Sequence, residues 1–246
     1  MIWGYLKEPF SKYGLAIPIK LGIASYPHAL ITGASGSGKT QALLFLLGKL
    51  LQNIPDIVVY LCDFKNSEDF SFLKGYTHYY TGKDCYQGIM EYYQCFSDTR
   101  ENGSIKNRSI LICDEYPAFV NYLQMQDKQN KTKYATIVLN SVAEILMLGR
   151  GINFGIWIVT QRADSTLFSN GARDNFMVIV GLGNLSKEQK GMVFSGQEIP
   201  DTRFSAGEGM LLADSKEIME VKYPMIANVN DWKSHILRIL QKQSGG

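Results

Sequence analysis

The segment Gly33–Thr40, GASGSGKT, matches the phosphate-binding pattern G-x-x-x-x-G-K-[ST]. An apolar run, His28–Thr32, precedes it, and a helical pattern over Gln41–Leu51 follows it. Glycines let such a loop turn several backbone N–H groups toward an anion, and the start of a helix adds partial positive charge. A coincidental match in a loop rich in Gly and Ser is the alternative, but the order of strand, loop and helix favours a nucleoside triphosphate site.

The pattern also assigns a role to each end of the loop. Lys39 is expected to contact the β- and γ-phosphates, and Thr40 is expected to ligate Mg²⁺. ATP and Mg²⁺ are therefore the predicted cofactors. The predicted nucleotide-binding residues are Gly33, Ala34, Ser35, Gly36, Ser37, Gly38, Lys39 and Thr40.

Two adjacent carboxylates, Asp114 and Glu115, end the apolar run Ser109–Cys113. With a triphosphate site in the same chain, such a pair suits nucleotide hydrolysis. Asp114 is the predicted second metal residue, holding Mg²⁺ through water, and Glu115 is the predicted base that orients and deprotonates the attacking water. A solvated acidic pair at a turn is the alternative.

Two further residues are candidates for catalysis because of where they stand in the sequence. Gln161 follows the apolar run Ile156–Thr160, where a polar side chain can sense the γ-phosphate; a glutamine facing solvent is the alternative. Arg150 lies between a predicted helix and that strand. It suits an arginine finger that acts on a neighbouring subunit, or a helix-end arginine stabilised by the helix dipole.

The composition describes a globular chain. The 246 residues are 46% hydrophobic and 20% charged, with a net charge of +2, a balance that neither indicates nor excludes a nucleic-acid binder. The four cysteines have no metal-binding spacing and are predicted to be reduced thiols in the cytosol. No run of 18 apolar residues suggests a transmembrane helix, so a partner protein is expected to bring the chain to a membrane if it works there.

Strands alternate with helices from residue 28 onward, which predicts an α/β fold with a mainly parallel sheet flanked by helices. One domain is expected over residues 1–246, with N-terminal strands in 1–26, a core in 27–223 and a C-terminal helix and tail in 224–246. The polar segment Gln126–Lys133 is predicted to be a mobile loop.

The order of these motifs resembles the motor domains of the FtsK/SpoIIIE–HerA superfamily of ring translocases, over about Ala16–Ala213. The resemblance rests on Pro27-His28 leading into GASGSGKT, Asp63-Phe64-Lys65, ILICDEYPAF, GRGINFGIWIVTQR and Gly207-Glu208-Gly209-Met210-Leu211.

The resemblance implies a RecA-like P-loop core, a hexameric ring, and ATP hydrolysis at subunit interfaces coupled to the movement of a polymer. It supports Gln161 as a sensor and Arg150 as a finger acting in trans, and it matches Lys65 to a lysine of the family without giving it a role. Two features depart from the family. Phe64 replaces a usual proline, and a second interface arginine is missing after Asn175, for which Arg173 is a weak substitute.

The leading prediction is a DNA-translocating ATPase motor, of the kind that serves conjugative transfer. The chain has neither the membrane-spanning part nor the DNA-reading winged helix of the family, so a partner is expected to anchor it and select its substrate. Lys128, Lys131 and Lys133 either contact DNA phosphates or are simply solvated. The alternatives are a motor for protein secretion and a nucleotide-dependent docking module with little turnover.

Overall fold

The computed structural model describes residues 1–54, 56–103, 107–164 and 174–244. Its strands are β1 Ile2–Leu6, β2 Pro18–Lys20, β3 Ala29–Gly33, β4 Val58–Asp63, β5 Tyr79–Thr81, β6 Ser109–Asp114, β7 Phe154–Thr160, β8 Val178–Leu182, β9 Glu208–Ala213 and β10 Met219–Lys222. Its α-helices are α1 Lys7–Tyr13, α2 Lys39–Asn53, α3 Cys85–Asn102, α4 Tyr116–Asn130, α5 Tyr134–Leu148, α6 Lys187–Val193 and α7 Val229–Ser244. Short 3₁₀ turns cover Glu68–Leu73, Gly82–Asp84 and Gly149–Ile152.

All these strands form one sheet, in the order β2-β1-β10-β9-β8-β3-β7-β6-β4-β5. The six strands from β8 to β5 run parallel, and β9, β10, β1 and β2 extend the sheet with antiparallel pairings. This architecture confirms the predicted α/β class and the mainly parallel sheet. It also puts β7 between β3 and β6, so the strand that ends before Gln161 separates the phosphate loop from the carboxylate pair.

The central strands are buried on both faces, and their alternate residues supply two separate cores. Along β7, Trp157 and Val159 join the core under α2 and α7, whereas Ile156 and Ile158 join the core under α3, α4 and α5. Every residue of β3 and β7 is buried. Such strands are apolar throughout, which is why the sequence predicts them well.

Helix α5 is the most apolar of the long helices. The stretch Tyr134–Ile152 is long and apolar enough to cross a membrane by length and composition. Here α5 packs on α3, α4 and β7, and its buried residues, such as Val138 and Ile145, belong to the second core. These buried residues account for part of the hydropathy of α5, whereas Ile137, Met147 and Leu148 on the same helix are exposed.

The polar segment Gln126–Lys133 is not the predicted mobile loop. Helix α4 continues to Asn130, and only residues 131–133 connect it to α5. The carboxylate of Asp127 accepts hydrogen bonds from the backbone N–H groups of Tyr134 and Ala135, both at 2.8 Å, and so binds the first turn of α5. The prediction was wrong because the exposed last turn of a helix is as polar as a loop.

The N-terminal prediction was incomplete. Of the N-terminal strands expected in residues 1–26, the segment 14–24 contributes only Pro18–Lys20. A longer strand, β1, precedes it and pairs with both β2 and β10, with α1 in between. All four cysteines are free thiols, and Cys62, Cys85 and Cys113 are buried.

Candidate active site

The phosphate loop joins β3 to α2, as its pattern requires. Gly38 has φ 90°, and a Cβ at this position would lie 2.6 Å from the backbone N of Gly207. Glycine is therefore required both by the backbone conformation and by the neighbouring chain. The N–H of Gly207 also donates to the carbonyl of Ser37 at 2.9 Å, so the turn before β9 braces the loop.

Lys39 folds back over this loop. Its Nζ donates to the carbonyl oxygens of Gly33 at 2.6 Å and Ala34 at 3.1 Å. Burial lowers the pKa of Lys39, and the nearby charges of Glu115 and Asp114 oppose that shift. The loop and the carboxylate pair therefore lie close enough for their charges to interact. A cation held above a glycine-rich cradle fits a phosphate chain.

Asp114 ends β6 beside Asp63 at the end of β4, because the two residues are paired in the parallel register. Burial, followed by repulsion from Glu115 and Asp63, raises the pKa of Asp114 to about 7. A divalent cation would oppose this repulsion. The oxygen donors of Thr40 and Asp114 thus suit Mg²⁺, which prefers such ligands.

Glu115 occupies a left-handed backbone conformation, with φ 55° and ψ 38°, at the start of α4. Its side chain is nearly buried, and its Oε1 lies 2.9 Å from the Nζ of Lys65. The same Oε1 accepts a hydrogen bond of 2.9 Å from the Nε2 of Gln161. A non-glycine residue in this region is uncommon and is found where the surroundings over-determine it, as at functional sites.

Gln161 reaches Glu115 because β7 and β6 are neighbouring parallel strands. The residues after it are also held. The backbone N–H of Ala163 donates to the side chain of the buried Gln189 at 3.0 Å, and that side chain donates back to the Ala163 carbonyl. Helix α6, which the sequence prediction missed, therefore supports the chain that follows Gln161.

Arg150 is not part of this cluster. It is exposed in the turn before β7, at the end of that strand opposite to Gln161. Seven residues of strand separate them, which is roughly 20 Å at about 3.3 Å per residue. Burial and, second, the charge of Arg150 lower the pKa of His28 to about 4, so Arg150 lies near the start of β3. Arg173 lies outside the described residues.

Lys65 and Asp63 are site residues whose roles were not predicted from the sequence. Asp63 is fully buried, and its Oδ2 accepts hydrogen bonds from the backbone N–H of Ser67 at 2.7 Å and the hydroxyl of Tyr79 at 3.1 Å. Their place at the end of a parallel strand was a signal, since ligand sites collect there.

Comparison with known proteins was made at three levels. No family model matches the chain. The FtsK domain-containing protein YdcQ of Bacillus subtilis is 24% identical over 229 residues, a match that covers 87% of this chain. The chain is similar to FtsK-type motor domains, as its motifs predict. It spans 46% of the length of that relative.

Solved structures with a similar fold come from ATPases and from a conjugation coupling protein. The pCW3 conjugation coupling protein TcpA, in a monomer form with ATPγS, has a TM-score of 0.74 and 18% identity over 99% of this chain and 70% of its own. EssC ATPases 2 and 3 of Geobacillus thermodenitrificans give a TM-score of 0.71 at 13% identity over 99% of this chain and 49% of theirs. The cytoplasmic domain of the type VII secretion ATPase EccC of Thermomonospora curvata has a TM-score of 0.68 and 17% identity. That match covers 100% of this chain and 31% of EccC. The shared fold is that of P-loop ATPases.

Proposed function

We propose that the chain hydrolyses ATP, with Glu115 as the base that activates water. The observation that carries this proposal is the contact of Glu115 with both Lys65 and Gln161, which follow β4 and β7, the two strands on either side of β6. A carboxylate held in a strained backbone conformation, beside a phosphate cradle, is suited to removing a proton from water.

The other residues of the site take supporting roles in this proposal. The loop from Gly33 to Gly38 and the side chain of Lys39 hold the phosphates, and Thr40 and Asp114 hold Mg²⁺. When bound, the cation neutralises charge on the β- and γ-phosphates. Gln161 orients the attacking water and keeps Glu115 in place.

We further propose that hydrolysis drives DNA through a ring of identical subunits, with a hexamer as the expected form. The exposed Arg150, far from the nucleotide site of its own chain, supports a role at the site of a neighbour. TcpA, with a similar fold, is a conjugation coupling protein. In such a motor a partner protein supplies membrane attachment and substrate choice.

The test is the rate of ATP hydrolysis per chain, measured over a range of protein concentrations, with and without double- or single-stranded DNA at low salt. We expect the rate to rise with protein concentration and to rise several-fold further with duplex DNA. Lys39→Ala, which removes the phosphate-binding cation, should abolish both nucleotide binding and turnover. A rate per chain independent of concentration would contradict assembly into a ring.

Protein secretion is the second candidate, because EssC and EccC have similar folds. The same assay separates the two motors. Turnover that depends on protein concentration but does not respond to either form of DNA favours secretion. Binding of ATP without turnover under every condition favours a docking module.

A further inference from the structure

Lys65 and Gln161 approach the same oxygen of Glu115. The Nζ of Lys65 and the Nε2 of Gln161 both lie 2.9 Å from Oε1. Among the described residues, no hydrogen bond reaches Oε2. The two donors therefore fix one oxygen of the carboxylate and leave the other available to accept a proton.

Lys65 is presented by a braced turn rather than a free loop. Asn66 adopts φ 52°, and its N–H donates to the carbonyl of Asp63 at 3.1 Å. The Oδ2 of Asp63 closes the turn through Ser67 and ties it to β5 through the Tyr79 hydroxyl. Although the Lys65 side chain is about half exposed (47%), its backbone is thus fixed at the end of β4.

Phe64, between Asp63 and Lys65, connects this turn to the helix that follows Glu115. The ring of Phe64 packs on Phe119 and Tyr122 of α4, with ring centroids 5.4 and 5.5 Å apart. The segment Asp63-Phe64-Lys65 therefore touches both the side chain of Glu115 and the first turns of the helix that Glu115 starts. Each of its three residues contributes to holding that one carboxylate.

We infer that Lys65 is a positioning residue, which together with Gln161 holds Glu115 so that Oε2 accepts the proton of the attacking water. This inference rests on the proposed ATPase function. In the step concerned, water gives a proton to Oε2 while its oxygen bonds to the γ-phosphorus, and the bond from that phosphorus to the oxygen of ADP breaks. Lys65 acts through Glu115 and does not need to touch the nucleotide.

The experiment compares Lys65→Met and Lys65→Arg, each in the wild-type and the Glu115→Gln background. The matched control is Lys74→Met, which changes an exposed lysine of the same region. We expect Lys65→Met to lower kcat on the order of 10-fold or more, because misplaced catalytic groups lose rate steeply. KM and the Kd for a non-hydrolysable ATP analogue should stay unchanged. Lys65→Arg, which can still donate to Oε1, should restore part of the rate.

The double variant decides whether Lys65 works through Glu115. If it does, Lys65→Met causes no further loss once Glu115→Gln is present. An equal further loss, weaker binding of the analogue, or an unchanged or higher kcat in Lys65→Met would each overturn the inference.

Thermal unfolding of four proteins tests the contact without measuring turnover. These are the wild type, Lys65→Met, Glu115→Gln and the double variant of those two substitutions. Non-additive shifts in Tm support the contact between Lys65 and Glu115, and additive shifts overturn it. Unchanged hydrolysis in Glu115→Gln would instead refute the proposed base. Failure of the inference and failure of the proposed function therefore give different results.

Discussion

At the residue scale, Glu115 is the proposed base of the site. Its backbone lies in a region that costs a non-glycine residue roughly 1–2 kcal/mol. Contacts from β4 and β7 keep its side chain near the phosphate loop. A residue held in this way against local strain is better explained by function than by stability.

Glu115→Gln should bind ATP with unchanged affinity and hydrolyse it very slowly. The amide cannot accept the proton of water, so we expect kcat to fall on the order of 10²- to 10⁴-fold. Glu198→Gln, at an exposed position, is the control and should keep the wild-type rate. Normal turnover in Glu115→Gln would show that another group is the base.

His28 makes the folded protein sensitive to acid. Its Nδ1 accepts a hydrogen bond of 3.1 Å from the N–H of Ile156, so the ring must be neutral at that nitrogen. Burial, with Arg150 second, lowers its pKa to about 4, whereas the unfolded chain binds this proton near pH 6.5. The unfolded chain thus binds more protons between these values, and the free energy of unfolding falls as the pH falls from 6.5 to 4.

We expect His28→Asn, which keeps an acceptor near Ile156, to reduce that acid sensitivity by roughly 3 kcal/mol. The measurement is denaturant unfolding at several pH values between 4 and 7. His235→Gln serves as the control. The same dependence on pH in His28→Asn and wild type would contradict a neutral buried His28.

At the element scale, the sequence predicted best those elements whose burial is uniform. Strands β3, β6 and β7 match the apolar runs His28–Thr32, Ser109–Cys113 and Ile156–Thr160, and helix α2 contains the helical pattern Gln41–Leu51. Strand β5 was missed because three residues at a sheet edge carry no periodic signal, and α6 because seven residues carry little more. The prediction also missed where α4 ends.

In the site, too, some features could be predicted from the sequence and others could not. The loop, Asp114, Glu115 and Gln161 follow from motif and strand order. The contact of Lys65 with Glu115 could not be predicted, because it depends on the pairing of β4 with β6 and on a turn closed by a side chain. Sequence spacing alone does not contain either fact.

The packing of α2 on α7 gives a prediction about stability. A Cβ at Gly48 in α2 would lie 2.2 Å from the ring of Trp232, whose Nε1 donates to the carbonyl of Leu44 at 2.9 Å. Gly48→Ala should therefore lower the free energy of unfolding by about 1–2 kcal/mol, because overpacking outweighs the better helix propensity of alanine.

The matched control is Gly191→Ala in α6, where a Cβ meets no atom of the described residues within 4 Å. There only the helix propensity changes, so Gly191→Ala should leave the free energy of unfolding unchanged or raise it by up to about 1 kcal/mol. Denaturant unfolding of both variants measures the difference. If both substitutions stabilise the protein, α7 is not packed on α2 as described.

At the scale of the whole molecule, the two ends of β7 separate two proposed functions. Gln161 is proposed to serve the nucleotide of its own chain, and Arg150 at the other end is exposed. Arg150→Ala should leave ATP binding intact and lower hydrolysis only where subunits are assembled.

Mixing Arg150→Ala with Glu115→Gln subunits tests whether the arginine acts in trans. Neither variant alone should be active, but in a mixed ring an Arg150→Ala subunit keeps Glu115 and can receive the arginine of a Glu115→Gln neighbour. Partial recovery of the ATPase rate in the mixture is the expected result. No recovery at any ratio would favour a structural arginine.

The two borders of the sheet constrain how copies of this chain can associate. Strands β2 and β5, which form those borders, are three residues long. Each exposes few free backbone N–H and C=O groups, so one sheet cannot easily be continued into another. A crowded solution of the protein should therefore resist fibre formation, and any ordered assembly has to be built from contacts between side chains of helices and loops.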